Sequence, residues 1–528
     1  MFPRKCQRTT PPPFEKCADL LKQVYAAEHA ADYDVKSEVP PFTLAEVRRA
    51  LKGMKKGKCA DKSGVLLEMF LYGGDSVQGA LLSHLNGILE NGEVPETWNN
   101  TYLTLLHKGG DTNDANNWRP VAILSITYKV MARILYNRIR NRLDDAQSED
   151  QYGFRKGRST THALIVLESI ISKSIEYDMP VWIVSVDLRK AFDRVEHAAL
   201  FEALTQQMDD LEYVALLKLL YKEQIGIIGE QDAFPISRGV RQGDVLSPVL
   251  FNAVLEKAIS EWKLTLSDEG LEMKEGDPNT RLTNIRYADD LLLFGRSYGE
   301  AVSMIESLAA VLARYGLQLN DKKTKILTTV DTPDVPTICI TSAGAIELIT
   351  GDEFHKYLGR GFTGKLRNRG KDAVEHRVRC AWCKYNGLKH VLENKNVGIR
   401  LRFRLLNAVV AATALYSLDA CPITSTLAQR LDTTQRKMLR RMVGWISSSG
   451  ATYEERGHLM KHRLQRCLEI SPMTAWSEQL QQRKAQILQA EESWPHWTKM
   501  AHAWQPSSSR PRGRPQARWH DGVLDRNA

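Results

Sequence analysis

The chain has 528 residues, of which 43% are apolar and 26% are charged. This ordinary globular composition excludes collagen-like, disordered and disulfide-scaffold proteins. Lys and Arg number 72 against 63 Asp and Glu, so the formal net charge is +9, which is compatible with a polyanionic partner. The 8 cysteines are too sparse and too unevenly spaced for a disulfide framework, so we expect a reducing compartment.

Signals for secretion and membrane insertion are absent from the sequence pattern. Residues 1–30 contain no apolar run typical of a secretory signal. The longest apolar stretch, between Arg404 and Asp419, has 14 residues, short of the roughly 20 that a membrane-spanning helix needs. We therefore expect an intracellular protein of the nucleus or cytoplasm, neither secreted nor transmembrane.

The N-terminal part of the chain predicts a tail followed by a capped helix. Residues 1–40 are typical of a tail that leads into a helix. Thr43 with Glu46 three residues later predicts a capping box, and Gly53 predicts the end of that helix. Helical and strand patterns then alternate without a linker-like break to about residue 360.

A buried strand that ends in an acidic residue is predicted near the middle of the chain. The run PVWIVSVDL (180–188) is apolar and rich in β-branched residues, and it ends at Asp187 and Leu188. A carboxylate beside an apolar strand is costly unless a cationic group meets it. Asp187 is therefore a candidate metal ligand.

A second acidic site follows in a predicted hairpin. Asn284–Tyr287 and Leu291–Phe294 are typical of two short strands joined by a tight turn over 288–290. The adjacent acids Asp289 and Asp290 repel each other there, which favours a metal ion between them. A solvated turn is the alternative, because Asp is a common turn residue.

The order of the predicted elements is strand, helices, hairpin, helix and strand. This is the split β-α-β-β-α-β arrangement of a ferredoxin-like sheet. The end of the first strand and the turn of the two middle strands can be neighbours on such a sheet, which would bring Asp187, Asp289 and Asp290 together.

Eight blocks in the same order resemble the reverse transcriptase of non-LTR (LINE-type) retrotransposons. They are FTLAEVRRALKGMKKGK (42–58), VPETWNNTYLTLLHKGGDTNDANNWRPVAILS (94–125), QYGFRKGRST (151–160), VSVDLRKAFD, RQGDVLSP, RYADDLLLF, LNDKKTKIL and FHKYLG (354–359). The resemblance implies an α+β right-hand polymerase. Its predicted parts are an N-terminal tail (1–40), fingers (41–180), a ferredoxin-like palm (181–360), a helical basic thumb (361–450), and a C-terminal helical segment with a flexible Pro/Ser/Arg-rich tail (451–528).

The resemblance further implies an RNA-directed DNA polymerase that extends a DNA primer on an RNA template with deoxynucleoside triphosphates. The catalysts would be two Mg²⁺ ions, with Mn²⁺ as an alternative ion. Asp187, Asp289 and Asp290 would hold the ions, together with the main-chain carbonyl of Leu188. No membrane partner is expected.

The resemblance also places residues around the incoming nucleotide, namely Lys108, Arg119, Phe192, Gln242 and Lys323. Lys108 and Arg119, in the predicted fingers, would neutralise the triphosphate, and the Phe192 ring would exclude a ribose 2′-hydroxyl. Asp193 is expected to be a hydrogen-bonding support. Lys322 and Lys325 compete with Lys323 for the pyrophosphate.

The most basic stretch of the chain is residues 365–404, with 12 Lys or Arg and 3 Asp or Glu, a local charge of 12 − 3 = +9. We expect it to grip the template-primer backbone. Four of its arginines are the candidate contacts, namely Arg367, Arg369, Arg377 and Arg379. A solvated helix face is the alternative, and the Arg-rich tail from Arg510 to Arg518 is the next candidate.

Two other functions remain open from the sequence. An intron-type maturase reverse transcriptase would need a maturation domain that the C-terminal stretch does not suggest. A domesticated or decaying element would bind nucleic acid without catalysis. The Cys380-x-x-Cys383 spacing does not predict a zinc site, because a second well-spaced ligand pair is missing from the sequence around it.

Overall fold

The computed structural model describes residues 13–33, 38–229, 232–444, 452–513 and 516–521. The start of the predicted N-terminal tail, the end of the predicted thumb and the end of the C-terminal tail lie outside the described residues. The chain forms two compact units. The first comprises Met1–Ser148, Leu188–Ser267 and Ser307–Leu319, and the second comprises Glu149–Asp187, Asp268–Glu306 and Asn320–Ala528. Each unit consists of three separate stretches of the sequence. The predicted fingers, palm and thumb are consecutive stretches, so their boundaries remain a prediction.

The helices of the described residues are α1 (Phe14–Tyr25), α2 (Leu44–Gly53), α3 (Leu67–Tyr72), α4 (Gly74–Asn91), α5 (Glu96–Asn99), α6 (Ile126–Asp145), α7 (Thr160–Glu176), α8 (Ala191–Arg194), α9 (His197–Gln207), α10 (Leu211–Tyr221), α11 (Ser247–Thr265), α12 (Tyr298–Ala313), α13 (Arg369–Gly387), α14 (Lys389–Leu392), α15 (Ile399–Leu405), α16 (Ala412–Leu415), α17 (Ser425–Val443), α18 (Tyr453–Ile470), α19 (Trp476–Gln489) and α20 (His496–Ala503). None of these helices is long and apolar enough to cross a membrane.

The strands are β1 (Asn100–His107), β2 (Trp118–Ile123), β3 (Trp182–Val186), β4 (Gln224–Ile228), β5 (Asp232–Ile236), β6 (Leu271–Glu272), β7 (Arg281–Leu282), β8 (Asn284–Tyr287), β9 (Asp290–Gly295), β10 (Lys325–Thr328), β11 (Ile338–Thr341), β12 (Gly344–Leu348), β13 (Phe354–Tyr357) and β14 (Arg360–Thr363). The chain is thus of mixed α and β class, as predicted.

The first unit contains a four-stranded sheet in the order β2-β1-β4-β5. β1 runs antiparallel to β2 and parallel to β4. The predicted capping box is present at α2, where the Thr43 hydroxyl accepts a hydrogen bond from the Glu46 main-chain N–H. Helix α11 carries a proline in its first turn, where its missing N–H costs no helical hydrogen bond.

The second unit contains a six-stranded sheet in the order β11-β12-β10-β3-β9-β8. Its four strands β10, β3, β9 and β8 are antiparallel neighbours, as a ferredoxin-like sheet requires. The predicted arrangement is therefore confirmed, with the β11–β12 hairpin as an extension. The last strand of this arrangement is short, since only Lys325–Thr328 is extended.

The C-terminal segment closes the apolar core of the second unit. Trp494, Trp504 and Trp519 are buried in the same cluster as the inner face of α7. The Arg518 guanidinium donates to both carboxylate oxygens of Glu176, at 2.7 and 2.9 Å. The expectation of a flexible tail is therefore wrong for residues 516–521, because an aromatic anchor and an ion pair hold them.

Candidate active site

Two acidic residues lie where β3 ends and β9 begins. Val186 is paired with Leu291 in antiparallel register, so Asp187 follows one strand directly opposite Asp290, which begins the other. Tyr287 pairs with Asp290, which leaves Ala288 and Asp289 as the turn. The sequence order alone placed these carboxylates on neighbouring strands, and the register agrees.

The loop before β10 fixes the position of Asp187. The Asn320 side-chain amide donates to Asp187 Oδ2 at 2.9 Å, and the Asn320 main-chain N–H donates to the Asp187 carbonyl at 2.8 Å. The Asp187 N–H donates to the Thr324 hydroxyl at 3.3 Å. The exposed ammonium of Lys323 lies 3.8 Å from Asp187 Oδ2, so Lys323 is the cation that this loop brings to the carboxylate.

The electrostatics of Asp290 show a concentration of like charge. Burial raises the pKa of Asp290, the charges of Asp289 and Asp187 raise it further, and the result is about 7. Lys323 and Lys356 lower this pKa in part. An added cation would therefore stabilise the ionised form of all three acids.

The carboxylates suit a hard divalent cation, which prefers oxygen ligands. Among the residues that the structure describes, no group of three Asp, Glu, His or Cys side chains could hold a metal ion alone. Mg²⁺ is commonly bound by one or two carboxylates that substrate phosphates complement. The donor set therefore fits ions whose coordination the nucleotide completes.

The sequence interpretation overlooked Lys356. This exposed lysine lies in β13 and acts on Asp290 through its charge. The block FHKYLG was recognised only as a whole, and nothing in it singles out the lysine. Its role depends on a strand 66 residues after Asp290, since 356 − 290 = 66.

In the first unit, buried Asp193 accepts hydrogen bonds from one predicted nucleotide-binding residue and from a tyrosine. Gln242 Nε2 donates to Asp193 Oδ1 at 2.7 Å, and the Tyr25 hydroxyl donates to the same oxygen at 2.9 Å. Burial raises the pKa of Asp193, while the nearby charges of Lys190 and Lys108 lower it in part. Asp193 is thus a hydrogen-bonding support.

Phe192 lies beside Asp193 in the chain and is half-buried. Its ring stacks on Phe251, with ring centroids 4.6 Å apart and an interplanar angle of 16°. Arg119 is exposed on β2, opposite Leu106 of β1. Stacking fixes the Phe192 ring, whereas the contacts of Arg119 with a nucleotide remain a prediction.

Leu188 is buried and pairs with Leu319 in an isolated antiparallel bridge.

Half-buried Lys190 has a left-handed backbone with φ of 47°. Burial lowers the pKa of Lys190 to about 8. Sequence reasoning did not single out Lys190, because one lysine within VSVDLRKAFD carries no distinguishing pattern.

Two arginines of the predicted nucleic-acid grip are structural. Arg369 is 2% exposed, and its Nε donates to buried Glu168 at 2.7 Å. Arg377 is 7% exposed, with its guanidinium 5.1 Å from the centre of the Tyr416 ring. The burial of both side chains does not fit the prediction that Arg369 and Arg377 bind phosphates.

The other two arginines remain on the surface. Arg367 is exposed and pairs with Asp331 at 3.0 Å, and Arg379 is exposed with its guanidinium 5.9 Å from the Phe354 ring centre.

Helix α17 adds a basic face that the sequence interpretation missed. Its exposed cations are Arg436, Lys437, Arg440 and Arg441. Their spacing of one and four residues places them together on a helix.

Comparison with known proteins defines the class of the central segment. The family described as "Reverse transcriptase (RNA-dependent DNA polymerase)" matches residues 106–362. This segment contains the second-unit carboxylates as well as Phe192 and Gln242. Residues 106–362 are therefore a reverse transcriptase domain.

The relatives that share this segment are proteins of transposons and other mobile elements. The chain is 30% identical over 257 residues to an uncharacterised 149 kDa protein of transposon TX1 from Xenopus laevis, covering 48% of this chain and 19% of that protein. It is 31% identical over 240 residues to the Pol polyprotein of the type-1 retrotransposable element R2 from Popillia japonica, covering 44% and 33%. It is 24% identical over 379 residues to the RNA-directed DNA polymerase of mobile element jockey from Drosophila melanogaster, covering 68% and 39%. The matches thus span well under half of each relative.

Proposed function

We propose that this protein is an RNA-directed DNA polymerase that extends a DNA primer along an RNA template. The observation that carries the proposal is the register of β3 and β9, which sets Asp187 opposite Asp290 inside a reverse transcriptase domain. Bound divalent ions, Mg²⁺ or Mn²⁺, would activate the primer 3′-hydroxyl and stabilise the leaving pyrophosphate.

The proposed ligands of these ions are Asp187, Asp289, Asp290 and the main-chain carbonyl of Leu188. Asn320 orients Asp187 by donating to one of its oxygens, which leaves the other oxygen for an ion. The high pKa of Asp290, about 7, means that a bound cation would displace a proton from it at neutral pH. The three acids would act as one charged set.

Cationic side chains would receive the triphosphate. Exposed Lys323 lies 3.8 Å from Asp187 and would neutralise charge on the leaving pyrophosphate. Lys108 and Arg119, at the end of β1 and on β2, would bind the phosphates from the first unit. The charge-assisted hydrogen bonds of these cations to phosphate oxygens are stronger than neutral ones.

The first unit would select the sugar and hold the template. The Phe192 ring, fixed by Phe251, would lie beneath the sugar and exclude a ribose 2′-hydroxyl. Gln242, oriented by Asp193, would contact the nucleotide or the template. In the second unit, exposed cations, including Arg367, Arg379 and the face of α17, would hold phosphates of the template-primer.

Primer extension on poly(rA) with oligo(dT) tests the proposal. We expect Asp289→Asn to lower extension by at least about 10³-fold, or roughly 4 kcal/mol of barrier, because it removes a proposed ligand charge. Asp352→Asn is the matched control, since that carboxylate is 91% exposed. Activity of a folded Asp289→Asn protein within tenfold of wild type would contradict the proposal. Binding without extension by the wild type would favour a nucleic-acid-binding protein.

The sugar-selection role has its own test. Phe192→Val opens space beneath the sugar, so we expect ribonucleotide incorporation to rise relative to deoxyribonucleotide incorporation even if total extension falls. The measurement is the ratio of the two kcat/KM values on one template-primer. An unchanged ratio would leave Phe192 with only its packing against Phe251.

A further inference from the structure

A short segment of the second unit, residues 150–153, lines the outer edge of β8. The Arg286 N–H donates to the Asp150 carbonyl at 2.7 Å, and the Tyr152 N–H donates to the Arg286 carbonyl at 2.8 Å. Gln151 and Arg286 thereby form an isolated parallel bridge. The backbone that leads into the acidic turn is thus paired on both sides, by β9 and by this segment.

The Gln151 side chain connects this segment to the turn itself. Gln151 is fully buried, and its Oε1 accepts hydrogen bonds from the Gly153 N–H at 2.7 Å and from the Ala288 N–H at 3.0 Å. An amide oxygen has two lone pairs, and both are used here. A leucine or methionine at this position would supply volume but no acceptor.

The residue that receives this contact has an unfavourable backbone. Ala288 has φ of 57°, in the left-handed region that residues with a Cβ rarely adopt. Such a conformation persists only where the surroundings impose it. The hydrogen bond from Ala288 N–H to Gln151 fixes the peptide that enters the turn, one residue before Asp289.

Gly153 allows the two backbones to approach this closely. A Cβ at Gly153 would lie 2.3 Å from the Ala288 nitrogen and 3.0 Å from the Tyr287 carbonyl carbon. A second tie anchors β8, since buried Asp150 accepts a hydrogen bond from Arg286 Nη2 at 3.1 Å and another from the Asn284 amide. The segment is therefore held independently of the turn that it contacts.

We propose that Gln151 is a positioning residue for the carboxylate turn. Its amide oxygen holds Ala288 in the left-handed conformation, so that Asp289 and Asp290 are presented for ion binding before the nucleotide arrives. The inference rests on the proposed function, because it assumes that these two acids bind the ions.

The test measures ion binding directly. Gln151→Leu removes the acceptor at similar volume, and we expect Mn²⁺ to bind the complex of full chain and template-primer about 10- to 100-fold more weakly, as is typical when an orienting partner is lost. Electron paramagnetic resonance of free Mn²⁺ gives the affinity. We expect kcat for extension to fall while KM for the template-primer stays within about twofold, since the phosphate contacts are untouched.

Rescue separates positioning from general destabilisation. Gly adopts positive φ readily, so Ala288→Gly added to Gln151→Leu should restore most of the Mn²⁺ affinity. Gln435→Leu is the matched control, because that buried amide oxygen accepts a hydrogen bond from the Trp476 N–H in the same unit. We expect this control to lower the melting temperature and leave Mn²⁺ affinity unchanged.

The outcomes separate this inference from the proposed function. Wild-type Mn²⁺ affinity in Gln151→Leu, or no rescue by Ala288→Gly, overturns the positioning role. If Gln151→Leu does not fold, Gln151→Asn tests the same contact, because its shorter side chain withdraws the oxygen from Ala288. Normal activity of Asp289→Asn would instead overturn the proposed function, whatever the Gln151 variants do.

Discussion

Two acidic residues of the second unit, fully buried Glu168 and half-buried Asp290, have opposite electrostatics. Burial would raise the pKa of Glu168, but the charges and hydrogen bonds of Arg369 and Arg360 outweigh burial and lower it. Burial also raises the pKa of Asp290, and there Asp289 and Asp187 add to the effect. One site already contains its counter-ions, whereas at the other Lys323 and Lys356 offset the assembled negative charge only in part.

The comparison distinguishes a carboxylate that stabilises the fold from carboxylates that await a ligand. Glu168 is complete, with a guanidinium on each side. Asp187, Asp289 and Asp290, where β3 ends and β9 begins, repel one another. This repulsion opposes folding until cations bind. Burial raises the pKa at both sites, but counter-charges outweigh it at Glu168 and like charges add to it at Asp290.

The largest effect is expected from Asp187→Asn. Primer extension should fall by at least about 10³-fold because one charge of the proposed ion site is removed. The melting temperature of the ion-free protein should stay the same or rise, since one of three repelling charges has gone. A clear drop in the melting temperature would show that Asp187, like Glu168, stabilises the fold.

Glu168→Gln should show the reverse behaviour. It leaves two buried guanidinium groups without their counter-charge, and the expected loss is about 3–5 kcal/mol in the free energy of unfolding. Urea denaturation measures this loss. Glu375→Gln, which breaks an exposed pair with Arg430, is the control and should cost less than about 1 kcal/mol. Equal losses in the two variants would remove the contrast.

The pH dependence of stability should differ in sign between the sites. The folded-state pKa of Asp290 is about 7, above its ordinary value of 3.8, so unfolding releases its proton between those pH values. This contribution makes ion-free protein less stable as pH rises from about 4 to about 7. The lowered pKa of Glu168 contributes stability above the unfolded value, which is lost as pH falls through its folded value.

Melting temperatures of ion-free protein at pH 5 and pH 8 measure the Asp290 contribution. Asp290→Asn cannot titrate, so its difference in melting temperature between the two pH values should lack the decline towards pH 8 that Asp290 adds to the wild type. The same pH profile in wild type and variant would show that the acids of the turn do not interact as the structure indicates.

The smallest effect concerns the cations. Arg367 and Arg379 are exposed, so changing both to Gln should reduce the slope of log affinity against log salt by about 1.4 to 1.8 if both contact phosphates. Binding should weaken similarly for unrelated sequences, because backbone contacts read no bases. Arg377→Gln is the control and should leave the slope unchanged, since that side chain is interior. An unchanged slope in the double variant would indicate that the basic face of α17, and not Arg367 and Arg379, contacts the phosphates.

Local patterns sufficed for much of the fold. The strand ending at Asp187, the hairpin around Asp289 and the capping box at Thr43 follow from periodicity and turn chemistry. The burial of Arg369 does not, because its partner Glu168 lies 201 residues away in the chain. The contact of Gln151 with Ala288 spans 137 residues, and one glutamine in a polar stretch has no periodicity that would reveal it.

Because Trp519 anchors the core of the second unit, a mutation far from the acidic site in the sequence can affect the whole protein. A premature stop codon at position 519 would leave every residue of the segment 106–362 encoded. It would nevertheless uncover Trp494, which packs against Trp519 with ring centroids 6.1 Å apart. Such an allele would encode a destabilised protein, although the residues proposed to bind the ions would be unchanged in its sequence.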